Sequence, residues 1–106
     1  MSNNTTSEAY TANIRAVRER LTDAEILAQL AEEASELAQA ALKYRRCLDG
    51  ANPTPITNKE AHDRLCEELA DVLVCVDALD GDPNCRAVKE CRESKAFRWA
   101  ARLNVG

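Results

Sequence analysis

Apolar residues recur three and four positions apart along most of the chain, and strict alternation occurs nowhere. That period belongs to amphipathic helices rather than to strands. Ile14, Val17 and Leu21 share one side and predict a first helix over about residues 7–21. "TDAE" follows at 22–25 and reads as a capping box, with Thr22 at the N-cap and Glu25 three residues on. The helical period then holds to Leu48, and Gly50 supplies the stop. This second helix has about 26 residues and a length of about 40 Å. Ile26, Leu30, Leu37, Ala41 and Leu48 mark its expected core stripe.

"GANPTPIT" is the one loop rich in Pro and Asn, and it ends in a second capping box, "TNKE", with Thr57 and Glu60. A second long helix runs to about Leu79, with Leu65, Leu69, Val72, Leu73 and Val76 expected inward. In "DGDP", Gly81 stops one helix and Asp82-Pro83 starts the next, proline being favoured at the first helical position. A last helix is expected over about residues 84–103, with Trp99 in the core. The fold class is therefore all-α, an antiparallel bundle of four helices in a single domain spanning the 106 residues.

Composition sharpens this. Aromatics make up only 4%, so the core rests on Leu, Val, Ile and many Ala. Small residues let helices pack closely, but a thin Ala-rich core is marginal alone, and oligomerisation is expected. The net charge of −4 disfavours duplex nucleic acid as a partner, since neutralising phosphates needs a basic patch. No apolar run is long enough to span a membrane, and "MSNNTTSEAY" has no apolar signal core, so a cytoplasmic location is expected. The five cysteines include no C-x-x-C pair and accompany a single histidine, His62. That speaks against a zinc finger and for reduced thiols, mostly buried or half-buried on helices.

The acidic residues are harder to explain. "LAEEASELAQAALKYRR" stacks Glu32, Glu33 and Glu36 within about one turn, with no Lys or Arg three or four positions away. Such like-charge pairs cost roughly 0.2–0.5 kcal/mol each. At about 100° per residue the three fall in a single sector, and the same face continues through Gln29, Ala40 and Cys47. In "RLCEELADVLVCVDAL", Glu68 lies on the side of Leu65, Val72, Cys75 and Leu79, with Asp71 one turn on. A charge at the edge of an apolar stripe is costly unless something compensates it. Two facing helices with inward carboxylates make an oxygen cage suited to Mg²⁺ or Mn²⁺. Plain alternatives exist. The glutamates could be a solvated surface, Glu68 could pair with Arg64, and Asp71 could pair with a base on another helix. On the last helix, Lys95, Arg98 and Arg102 form one stripe, either a solvated basic edge or phosphate contacts.

Across residues 22–103 these motifs resemble the MazG-like members of the all-α nucleoside triphosphate pyrophosphohydrolase superfamily. The resemblance rests on Glu33-x-x-Glu36 and Glu68-x-x-Asp71 on consecutive helices, with Glu32 as an extra glutamate before the first motif. It implies Mg²⁺-dependent cleavage of nucleoside triphosphates to a monophosphate and pyrophosphate, with nucleotide-pool cleansing as a role. It also implies a homodimer or homotetramer. Glu33, Glu36, Glu68 and Asp71 would bind metal. Glu32 would be a further ligand or the base that activates water, Glu33 standing beside it in the catalytic set. Lys95, Arg98 and Arg102 would contact substrate. The aromatic-rich N-terminal signature of dCTP pyrophosphatases is absent. Phosphoribosyl-ATP pyrophosphohydrolase is a runner-up, because its second motif usually continues into a histidine-containing stretch and this one continues "DVLVCVD". The competing class is a non-enzymatic helical interaction module.

Overall fold

A computed structural model describes residues 7–50, 55–80 and 86–104. It is all-α, with helices α1 (Glu8–Arg20), α2 (Asp23–Asp49), α3 (Asn58–Asp80) and α4 (Arg86–Asn104). The "DGDP" turn and most of the "GANPTPIT" loop lie outside the described residues. No helix among the described residues is long and apolar enough to cross a membrane.

Local chemistry sets the helix ends. The Ser7 hydroxyl accepts from the Tyr10 N–H at 3.1 Å and starts α1. Both expected capping boxes form. The Thr22 hydroxyl accepts from the Glu25 N–H at 3.1 Å, and the Thr22 N–H donates to Glu25 Oε1 at 2.9 Å. The matching pair at Thr57 and Glu60 spans 3.1 and 3.0 Å. Each box satisfies two backbone donors that would otherwise have no partner in the first turn. Gly50 ends α2 with φ +66°, a left-handed conformation that a Cβ would strain.

The centre of the molecule is the α2–α3 pair. Tyr44 meets His62 edge-on, and the Cys47 thiol reaches the Ile56 carbonyl at 3.9 Å. Further from the loop, Glu36 acts on Glu68, and Glu33 on Cys75. The pairing numbers fall on α2 as they rise on α3, so the two helices run antiparallel. Ala40, Ala61 and Cys75 are buried, and such small side chains let the helices approach closely. α1 braces α3 from outside. The Tyr10 hydroxyl donates to Asp77 Oδ2 at 2.5 Å. Arg18 Nη1 donates to the carbonyls of Ala78 and Leu79, each at 2.7 Å, satisfying acceptors at the α3 C-terminus.

Several positions expected inward face outward. Ile14 and Ile26 are buried, and Leu30, Leu37, Leu65, Val72 and Val76 are half-buried. Leu21, Ala41, Leu48, Leu69 and Leu73 are exposed, as are Cys66 and Cys91. The apolar sector of each long helix is wider than one antiparallel neighbour covers, so its edges are left bare. The correction is largest at α4, where every described side chain is exposed, Trp99 at 63% and Phe97 at 75%. Charged residues surround this helix on all sides, which leaves it no apolar stripe to lay on the others.

The α1–α3 brace is testable through Tyr10. Removal from water, then the hydrogen bond and the charge of Asp77, push its phenol up from the ordinary 10.0 to about 12. A folded-state pKa raised above the unfolded one gives stability that is full below pH 10 and lost as pH rises through about 12. Tyr10→Phe should destabilise the chain by about 1–2 kcal/mol in urea unfolding at neutral pH. It should also remove the high-pH tyrosinate step from an absorbance titration.

Candidate metal and phosphate site

Packing α2 against α3 turns the residues of two short motifs toward each other. Glu33, Glu36 and Glu68 each place a carboxylate oxygen within 4.8 Å of the other two. Glu33 and Glu36 lie one turn apart on α2, and its packing against α3 brings both within reach of Glu68. Glu68 projects from the middle of α3 and is only 8% exposed.

These carboxylates are poorly compensated by the protein. Glu33 Oε1 accepts from Gln29 Nε2 at 2.9 Å, but Glu33 Oε2 is buried without a partner, and so is Glu68 Oε2. A buried acceptor without a donor costs free energy, and more so when it carries charge. Loss of water is the main cause that raises the Glu68 pKa, followed by the charges of Glu36, Asp71 and Glu33; Arg64 opposes them weakly. Loss of water likewise raises Glu33, against the Gln29 hydrogen bond and together with the charges of Asp71 and Glu36. The buried Cys75 thiol behind them is pushed up by burial and by Glu33 and Asp71.

The plain alternatives fail on this geometry. Among the described residues no ion pair joins Glu68 to Arg64 or reaches Asp71, and the pairs Arg45–Asp49 and Lys59–Asp63 lie on exposed flanks. A solvated acidic surface does not bury two unpartnered carboxylate oxygens. A divalent cation fits this donor set: it is hard and wants oxygen ligands, which Glu33, Glu36 and Glu68 would supply.

Not every expected residue converges. Asp71 is exposed and stands outside the tight trio, near enough for its charge to act on Glu33, Glu68 and Cys75. Glu32 is exposed and also outside it, about 100° round the helix from Glu33. Lys95, Arg98 and Arg102 sit on exposed α4, and none lines the carboxylate cleft. The cations that do line it are Lys43 and Arg64. They join Glu36, Gln39, Ala40 and Glu68 around a cleft of 260 Å³ and continue into a neighbouring groove with Glu60, Asp63 and Glu67. Lys43 was legible in principle: it lies two turns past Glu36 and so on nearly the same line of the α2 wheel.

A family model described as the MazG nucleotide pyrophosphohydrolase domain matches residues 21–79. That segment holds α2, α3 up to Leu79 and both carboxylate motifs, while α1 and α4 lie outside it. Neither the curated proteins nor the solved structures returned a match.

The raised carboxylates predict how the metal-free chain responds to pH. Acids whose folded pKa exceeds the unfolded value stabilise the fold below the unfolded pKa and lose that contribution as pH rises through the folded one. Glu33 and Glu68 should thus make the metal-free chain less stable as pH climbs past the ordinary value of 4.5. Adding Mg²⁺ or Mn²⁺ should raise the melting temperature at pH 8 and much less at pH 5, where protons compete for the same oxygens. Glu68→Gln should melt higher than wild type without metal and lose the metal-induced increment, as read by differential scanning calorimetry.

Proposed function

The chain belongs to the MazG nucleotide pyrophosphohydrolase family, and on that footing we propose that it hydrolyses nucleoside triphosphates to a monophosphate and pyrophosphate, using a divalent cation, Mg²⁺ or Mn²⁺. The observation that carries the reading is the trio Glu33, Glu36 and Glu68, with two buried carboxylate oxygens that no protein donor satisfies.

Glu33, Glu36 and Glu68 are the residues we assign to hold the ion, with Asp71 completing the set from its neighbouring, more open position. When bound, the cation would draw phosphate oxygens to the cleft and offset their charge as the bond between α- and β-phosphates breaks. Lys43 and Arg64 stand at the same cleft and are assigned as phosphate contacts, because a triphosphate brings more negative charge than one cation offsets. Arg64 makes no ion pair with Glu68, so its guanidinium is available to a phosphate. Glu32 is exposed and outside the trio, which suits it to take the proton of the water that attacks the α-phosphorus. Glu33, its neighbour in sequence, keeps its second oxygen on Gln29 and is positioned to hold rather than to shuttle. Lys95, Arg98 and Arg102 would serve the substrate only from a placement of α4 other than that seen in the single chain. Nucleotide-pool cleansing is the role this activity would serve.

The test is a panel of ribo- and deoxyribonucleoside triphosphates with Mg²⁺ or Mn²⁺, scoring pyrophosphate separately from phosphate, with phosphoribosyl-ATP included. Pyrophosphate release that Glu36→Gln abolishes is expected. Lys43→Ala and Arg64→Ala should each lower kcat/KM by roughly 10- to 100-fold, with melting temperatures close to wild type. Pure protein that releases no pyrophosphate from any of these compounds, yet binds other helices, would instead make it an interaction module.

A further inference from the structure

α4 is at odds with the rest of the chain in charge. It carries six basic and two acidic residues, a net of +4, in a chain whose net is −4, so everything outside it carries −8. Its basic residues recur at 86, 89, 92, 95, 98 and 102, a spacing of three that closes with a four. Arg92, Lys95, Arg98 and Arg102 have no acidic residue three or four positions away, so neighbours in the row repel. Among the described residues no ion pair engages any of the four, and none of them lines the carboxylate cleft. Two exposed aromatics interleave with this row, Phe97 and Trp99, the one Phe and the one Trp of the chain. The family match ends at residue 79, so α4 stands beyond the segment that carries the carboxylate motifs.

We propose that α4 binds single-stranded nucleic acid, with phosphates along the row of cations and bases stacked on Trp99 and Phe97. The proposal is independent of the proposed catalysis.

Charge calls for an anion, and the shape of the row narrows which. At about 100° per residue, each step of three turns the row back by about 60°. From Lys89 to Arg98 it therefore winds half-way round the helix while climbing about 14 Å. A flat anionic surface, whether a lipid bilayer or the acidic face of a folded protein, meets only part of such a row. A flexible strand with a charge on every nucleotide can follow it. A bilayer also demands one apolar side, and charges all round α4 deny it that. The aromatics decide between single and double strands. A duplex keeps its base faces stacked away, whereas unpaired bases offer them to Trp and Phe. Duplex also concentrates phosphate charge, against which the −8 of the remaining chain weighs more heavily.

Trp99 is the chain's single tryptophan, so its fluorescence reads binding directly. The full chain is titrated with oligouridylate and oligothymidylate of about a dozen nucleotides. EDTA is present, so that no metal at the cleft takes part. The expected result is saturable quenching, with an association constant that falls as salt rises. Its log–log slope should be about −3 if four cations engage, at about −0.7 for each. Arg98→Glu with Arg102→Glu should bring that slope about 1.4 nearer zero and weaken binding roughly tenfold or more. Trp99→Leu, read by anisotropy of a labelled oligonucleotide, should weaken it roughly 5- to 150-fold. Glu36→Gln should bind as wild type does. The wild-type titration decides the matter even if the α4 variants misfold. Trp99 fluorescence that does not change with either oligonucleotide at low salt would overturn the proposal. So would tighter binding to vesicles of phosphatidylserine and phosphatidylcholine, or binding of base-free polyphosphate as tight as that of the oligonucleotides.

Discussion

Three carboxylates pressed together between two helices repel one another, and two of their oxygens have lost water without gaining a donor. Something must hold them there against that cost. The α2–α3 seam does so, with Ala40, Ala61 and Cys75 buried and Tyr44 set against His62 near the loop. Small residues on the seam bring the two backbones close. That closeness carries Glu33 and Glu36 into reach of Glu68, where larger residues would keep them apart. The raised carboxylates, the orphan oxygens and the cleft all follow from it. A site of this kind is a stored demand for positive charge, and the demand is met only when a cation or a protonating medium arrives.

The placement of the basic residues fits that arrangement. Had Arg64 closed on Glu68, one carboxylate would be neutralised and the guanidinium spent. Instead Arg64 and Lys43 sit at the cleft without ion-pairing the trio, so that carboxylates and cations face the same space. On the proposed reading the carboxylates would take the divalent ion and the two bases the phosphate oxygens. Gln29 offsets the trio slightly by donating to Glu33, a neutral donor that steadies the side chain without removing its charge. α1 holds the end of α3 beyond Cys75, through Tyr10 and Arg18.

Features decided within four residues of chain were legible in the sequence. Thr22 with Glu25, Thr57 with Glu60, and Gly50 mark helix ends because caps and stops are satisfied by their own neighbours. The helical period gave four helices, and the absence of any base three or four positions from Glu33 and Glu36 singled them out. Glu68 was legible as an anomaly, a carboxylate on an apolar stripe, and it is indeed buried.

Only the tertiary structure decided which of neighbouring candidates turned inward. Glu32 and Glu33 differ by a single step round the helix, and local chemistry does not prefer either. The seam with α3 chose Glu33, and Glu32 stayed in solvent. In the same way Val72 and Val76 are half-buried while Leu69 and Leu73 are bare, since one neighbouring helix covers only part of a broad apolar sector. Lys43 and Arg64, far apart in sequence, became one charged rim because the packing of α2 on α3 brought them to the same cleft. A sequence fixes period, caps and charge, which are local; it leaves open the rotation of one helix against another, which is settled by packing summed over the whole seam.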